Sequence, residues 1–277
     1  MEGGGSRLRP LTVADLLDES FRLYRSHFAL FAGLAIAVAI PSVIFQVLAG
    51  TGTLFATLFS AVGNPALLNS SPVQQNPVGL LQYPVTVILL PFQTGTLILA
   101  AVLVCLDQPV SFAGVVKEVF RRYFGLWLVN LLLLVASVAL LCPPLGIFFL
   151  VRLSLSLPVL FAERVGATAA VERSWRLSER FFWRMLLVLT LVLVVNYAVS
   201  LALAPLLYAI SALLPGLSLQ LRGDLVVVVN GLLGQIILPL YAISITLAYL
   251  DLRVRKEAYD LEVEAYRLGA AALDQGR

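Results

Sequence analysis

SFAGVVKEVFRRYFGLW, residues 111 to 127, places Phe112, Val115, Val116, Val119, Phe120, Tyr123 and Phe124 at offsets 0, 3, 4, 7, 8, 11 and 12. Apolar residues recurring every three and four positions make one face of an α-helix. Lys117, Glu118, Arg121 and Arg122 fall on the other face. Ser111 precedes the run and is suited to accept a hydrogen bond from the free N–H groups of the first turn. Directly afterwards the chain becomes apolar for long enough to enter a bilayer. The stretch reads as an amphipathic helix at a membrane surface that leads into a span.

The rest of the chain agrees. Of its 277 residues 60% are hydrophobic and 13% charged, with mean hydropathy +0.94, whereas a soluble domain is about 25% charged. A crossing needs about 20 apolar residues for roughly 30 Å of hydrocarbon. Six runs qualify, at 27–49, 84–106, 124–141, 145–162, 183–212 and 225–250, the third and fourth divided only by Cys142, Pro143 and Pro144. The expected fold is all-α, a polytopic helical membrane protein of six spans with amphipathic helices at one interface. The first run is too long for a signal-peptide core and shows no cleavage site, so it is expected to stay as an anchor.

Orientation follows from lysine and arginine. The N-terminal segment, 107–123, 163–184 and the tail hold 17 of the 19 basic residues. The opposite connections hold only Arg222, beside Asp224. Both termini are expected to be cytoplasmic, in the cell's inner (cytoplasmic) membrane. Cys105 and Cys142 fall at opposite ends of their spans, too far apart to bridge. The outer segment 51–84 carries no charge and reads as a short interfacial helix followed by loop.

Two other segments lie on 111–127 without gaps. With Phe21, Phe120 and Trp175 in register, Leu17, Val116 and Val171 stand four residues earlier. Arg22, Arg121 and Arg176 stand one later, and Phe28, Trp127 and Phe182 seven later. Tyr24 and Tyr123 agree at three later, where Ser178 departs. This suggests three units within a single membrane domain, each an amphipathic helix plus a hairpin of spans: 11–106, 107–166 and 167–250, flanked by a flexible 1–10 and a tail helix at 251–277. The ring of each aromatic–arginine pair suits the headgroup level, and the arginine can reach water or lipid phosphate. Phe21, Phe120, Trp175, Arg22, Arg121 and Arg176 are therefore candidate lipid-interface residues.

Arg152 is the anomaly. A span over 145–162 puts it on the order of 11 to 15 Å from either end. Charge at that depth costs about 2.5 to 3.5 kcal/mol on insertion scales and normally faces protein or a wet cavity. No Asp or Glu lies within the assigned spans. Arg152 is expected in an intramembrane polar cluster with Gln93, Asn196 and Gln235, helped by carbonyls freed near Pro91, Pro158 or Pro239. Either the cluster is structural, or Arg152 binds an anionic substrate or headgroup.

Enzyme chemistry finds little footing. The one histidine, His27, opens the first span without a second histidine or clustered cysteines to make a metal site. Gly3-Gly4-Gly5 is no phosphate loop, and Gly231 and Gly234 suit helix packing. No catalytic residue, cofactor or metal is expected. The expected partners are the bilayer, its anionic lipids and a protein in or beside the membrane, with no nucleic acid.

RLSLSLPVLFAERVGATAAVERSWRLSERFFWRML, residues 152–186, and YLDLRVRKEAYDLE, residues 249–262, resemble the bacterial glycerophosphoryl diester phosphodiesterase membrane-domain family, related to YciC-like integral membrane proteins. LTVADLLDESFRLYRSHFALF, residues 11–31, is similar to that family's N-terminal segment. The resemblance rests on Arg152, Pro158, Glu163, Ser174, Trp175, Leu177 and Trp183, then on Asp251, Leu252, Arg253, Arg255, Lys256, Glu257 and Asp260. It covers the membrane part only: no soluble stretch is long enough for the phosphodiesterase barrel that some members carry. It implies a polytopic membrane protein whose motif residues are structural signatures. The expected role is a non-catalytic scaffold or lipid-associated protein, with a small-substrate transporter or channel centred on Arg152 as the alternative.

Overall fold

The structure is a computed structural model that describes residues 12–51, 82–213 and 216–257. The N-terminal stretch 1–10, residues 52–81 of the outer segment and the tail beyond 257 lie outside the described residues. Those described are helical, in the order α1 (Val13–Ser26), α2 (Phe28–Leu48), α3 (Gln82–Cys105), α4 (Phe112–Arg121), α5 (Tyr123–Val138), α6 (Pro143–Leu153), α7 (Ser156–Ala162), α8 (Ala167–Ser178), α9 (Phe182–Ala212) and α10 (Leu219–Glu257). Among the described residues six helical stretches are long and apolar enough to span a membrane: Phe28–Leu48, Pro84–Cys105, Tyr123–Leu141, Pro143–Ala162, Phe182–Leu207 and Gln220–Lys256. They match the six expected runs. The protein is an all-α, multi-pass helical membrane protein.

The helices pack in a cyclic pattern. The second spans of the three hairpins, α3, α6–α7 and α10, meet one another in the middle. Each first span packs against its own hairpin partner and also against the second span of the preceding unit: α5 on α3, α9 on α6, and α2 on α10, which closes the ring. The amphipathic helices repeat this rule, with α4 on α3, α8 on α6–α7 and α1 on α10. Burial agrees for α3 and α6–α7, each 61% buried against 22% for α5 and 18% for α9, while α10 at 33% is no more buried than α2 at 39%. The outer helices turn large apolar side chains outward, Leu193, Val194 and Leu201 among them. A water-soluble protein would bury such residues, whereas lipid accepts them.

Each central span holds a proline, which lacks an N–H and pushes away the carbonyl four residues earlier. Inside a bilayer the loosened carbonyls need new donors. Tyr123 donates its hydroxyl to the Ile88 carbonyl at 2.7 Å, three residues before Pro91. Tyr24 donates to the Ile236 carbonyl, three residues before Pro239. These are the two tyrosines that agree in the sequence register, and each reaches the preceding unit's central span. In the second unit's central span the proline breaks the helix outright. α6 stops at Leu153, Ser154 and Leu155 form a turn, and α7 restarts with Pro158 in its first turn, where no N–H is needed. Ser174 from α8 then donates to the Arg152 carbonyl at 2.6 Å.

Two boundaries differ from the sequence reading. α10 runs unbroken through residue 250, so the start of the tail continues the sixth span instead of forming a separate interfacial helix. Its charges are tolerated because Asp251 and Arg255 pair with each other within the helix, at 3.0 Å. At the other end α10 already includes Arg222 and Asp224, expected in the outer connection. Cys105 is buried and Cys142 exposed, and no disulfide joins them.

The turn into α6 is tight. A Cβ on Gly146 would sit 2.4 Å from the Leu140 backbone nitrogen and 2.6 Å from its Cα. Gly146→Ala is therefore expected to lower stability by about 1 to 3 kcal/mol through overpacking, read by denaturant titration in mixed micelles. A variant as stable as wild type would show that this turn yields freely.

Candidate functional site

The three amphipathic helices begin at the same register position. Their N-caps are Thr12, Ser111 and Gly166, each nine residues before Phe21, Phe120 or Trp175. Thr12 and Asp15 form a capping box, and the Ser111 hydroxyl accepts from the Gly114 N–H at 3.0 Å. Five residues before the aromatic, Leu16, Val115 and Ala170 are fully buried, as are Ser20, Val119 and Ser174 one residue before it. One helical face therefore docks on the bundle in the same way three times.

The opposite face presents the aromatic–arginine pairs. Phe21, Phe120 and Trp175 are exposed, and the side chains of Arg22, Arg121 and Arg176 are 64, 70 and 60% exposed. An even number of spans separates successive pairs, so all three stand at the end of the bundle that carries most of the basic residues. Each arginine also meets an acid one turn earlier. Arg22 pairs with Glu19, Arg121 with Glu118 at 2.6 Å, and Arg176 with Glu172 at 3.8 Å. Glu118 also receives Arg122 at 2.8 Å. Burial works to raise the Glu118 pKa, but the hydrogen bonds and charges of Arg122 and Arg121 outweigh it and hold the carboxyl below its ordinary value. Exposed pairs of this kind contribute little stability, so the arginines remain available to an outside anion.

Arg152 does not sit in the expected cluster. α8 folds back along α6 and α7, and this brings Trp175 beside Arg152. The guanidinium carbon lies 5.2 Å from the centroid of Phe148 and 5.2 Å from that of Trp175. Nη1 donates to the Trp175 carbonyl at 3.3 Å, while Nε is buried without a partner. A planar, weakly hydrated cation packed against an edge-to-face pair of rings, Phe148 and Trp175 at 5.6 Å between centroids, replaces the polar cluster. Gln93 instead bridges two spans, donating to the Ser42 hydroxyl at 2.7 Å and the Val38 carbonyl at 3.4 Å. Asn196 lies on the outer helix α9, and the Gln235 side-chain oxygen is buried on α10 without a hydrogen bond. His27 stands exposed at the joint of α1 and α2, its Nδ1 2.9 Å from the Ser26 hydroxyl.

Two charged nodes at the same end carry more of the packing than their sequence positions suggest. Glu163, just after α7, accepts from Arg173 of α8 at 3.1 Å and from the Tyr249 hydroxyl of α10 at 3.0 Å. Asp251, its side chain 1% exposed, pairs with Arg184 of α9 at 2.9 Å and with Arg255 of its own helix at 3.0 Å. Lys256 donates to the Arg176 carbonyl. These contacts tie α8, α9 and α10 together where the spans emerge. Their signal in the sequence is an acid and a base four residues apart, Asp251 and Arg255, directly after an apolar run.

The chain matches no family model, no curated protein and no solved structure.

Proposed function

We propose that this protein is a non-catalytic integral membrane protein that gathers anionic lipids around its basic end, acting as a lipid-associated scaffold. The observation that carries this reading is the threefold recurrence, at one register position, of an exposed aromatic ring beside an exposed arginine on helices docked to the bundle. A ring at headgroup depth with a cation beside it suits a phosphate-bearing surface. The excess of basic residues supports placing this end in the cytoplasm, with both termini, at an inner membrane. The resemblance of 152–186 and 249–262 to the phosphodiesterase membrane-domain family supports the same picture of a membrane part without a catalytic barrel. The transporter alternative depended on an open polar site at Arg152, and that guanidinium packs on the Phe148 and Trp175 rings and donates to the Trp175 carbonyl.

The test is quenching of Trp127, Trp175 and Trp183 by brominated phosphatidylglycerol in phosphatidylcholine bilayers. Anionic lipid is expected to be preferred, less so as salt rises. Changing Arg22, Arg121 and Arg176 together to Gln is expected to reduce the preference about a hundredfold, at about 1 kcal/mol per arginine. Equal quenching by both lipids in the wild type would refute the proposal.

A further inference from the structure

Between the ends of α3 and α7 and the flank of α4 lies a cavity of about 260 Å³. Its walls are apolar, with Leu99, Leu103 and Phe161 among them. Its rim is polar: Gln108, Glu118, Arg121 and Arg164. Arg121 and Arg122 share the carboxylate of Glu118, and Arg164 adds a further positive charge, so three cations stand against Glu118 and the neighbouring Asp107. Arg164 makes no ion pair or side-chain hydrogen bond with the described residues.

The backbone marks the same place. Among the described residues the non-glycine positions with left-handed φ are Asp107 and Arg164, both at 54°. Each directly follows the C-cap of a central span, α3 or α7, where glycine is the usual occupant because a Cβ disfavours that conformation. Asp107 falls between the lining residues Leu106 and Gln108, and Arg164 itself lines the cavity. Strain held beside a cleft by an otherwise unengaged guanidinium is the pattern of a binding site.

We propose that this cavity binds a phosphate group: Arg164 and Arg121, with Gln108, hold the oxygens, and the apolar wall takes the carbon chain next to them. The proposal rests on the reading of the basic end as an anionic-lipid surface and narrows it to one built site. A guanidinium suits phosphate because its N–H fork matches two oxygens at once.

Native mass spectrometry of the full chain in detergent tests it, after delipidation and resupply with phosphatidylglycerol or with inorganic phosphate alone. Wild type is expected to hold one phosphate-bearing adduct, whose mass tells a phospholipid from a free phosphate. Arg164→Gly removes the guanidinium and the backbone strain together. It is expected to fold at least as stably as wild type, by thermal unfolding, yet to bind about tenfold or more weakly. Arg180→Gln, which removes an exposed charge near the same end, is expected to bind like wild type. A wild type that holds neither probe, or equal binding by wild type and Arg164→Gly, overturns the proposal. Lost lipid preference in the arginine triple variant, with Arg164→Gly binding unimpaired, would reject the cavity while leaving the surface reading intact. An adduct lost in Arg164→Gly without any lipid preference in the quenching assay would reject the surface reading instead.

Discussion

Replacing Asp251 by Ala is expected to destabilise the protein by about 3 kcal/mol, the low end for removing one partner of a buried ion pair. The carboxylate is 1% exposed and faces Arg184 at 2.9 Å and Arg255 at 3.0 Å, whose side chains are 20 and 26% exposed. Without it two guanidiniums lie close together at the end of the bundle with no shared anion, and α9 loses its charged tie to α10. Asp251→Asn keeps the shape and one acceptor, so it should fall between Ala and wild type. The pair Asp251→Leu with Arg184→Met removes acid and base together and should recover much of the loss, because an apolar replacement of similar volume spares both desolvation terms. Denaturant titration in mixed micelles measures all four proteins. An Asp251→Ala protein within about 0.5 kcal/mol of wild type, the range of an ordinary surface change, would show that the cluster is incidental.

Arg152→Ala is expected to remove about 2 to 3 kcal/mol. Each ring contact contributes about 0.5 to 2 kcal/mol, and the hydrogen bond to the Trp175 carbonyl adds to them. The unpartnered Nε works in the other direction, since its burial already carries a desolvation cost. Arg152→Lys should recover less than half of the loss, because a compact, strongly hydrated ammonium matches the planar guanidinium poorly against the two rings and the Trp175 carbonyl. The same titration reads the result, and near-ultraviolet circular dichroism reports whether Trp175 keeps its environment. Full stability in Arg152→Ala would return Arg152 to the class of binding residues.

The spans and the three amphipathic helices were legible in the chain because both signals are local: run length for a crossing, and spacing of three and four for a docked face. The register survived too: the expected N-cap, Ser111, is matched at the same position by Thr12 and Gly166. What stayed hidden depends on contacts between distant segments. Arg152 stands 23 residues before Trp175, and only the fold-back of α8 brings them together; the spacing of polar residues along spans pointed to Gln93, Asn196 and Gln235 instead. The agreement of Tyr24 with Tyr123 was visible, but its meaning, a hydroxyl on a carbonyl beside the preceding unit's proline, needed the cyclic packing. Asp251 read as the start of a tail because charge after an apolar run usually marks the end of a span. Here Arg184, 67 residues away, lets the helix continue with its acid buried.

The central claim is that the three register-matched aromatic–arginine pairs act together as an anionic-lipid surface. The most direct measurement is the relative affinity for phosphatidylglycerol over phosphatidylcholine, by tryptophan quenching, across wild type, the single variants Arg22→Gln, Arg121→Gln and Arg176→Gln, and the triple variant. The account predicts a partial loss in each single variant and near-complete loss in the triple. A triple variant that keeps the wild-type preference would contradict it.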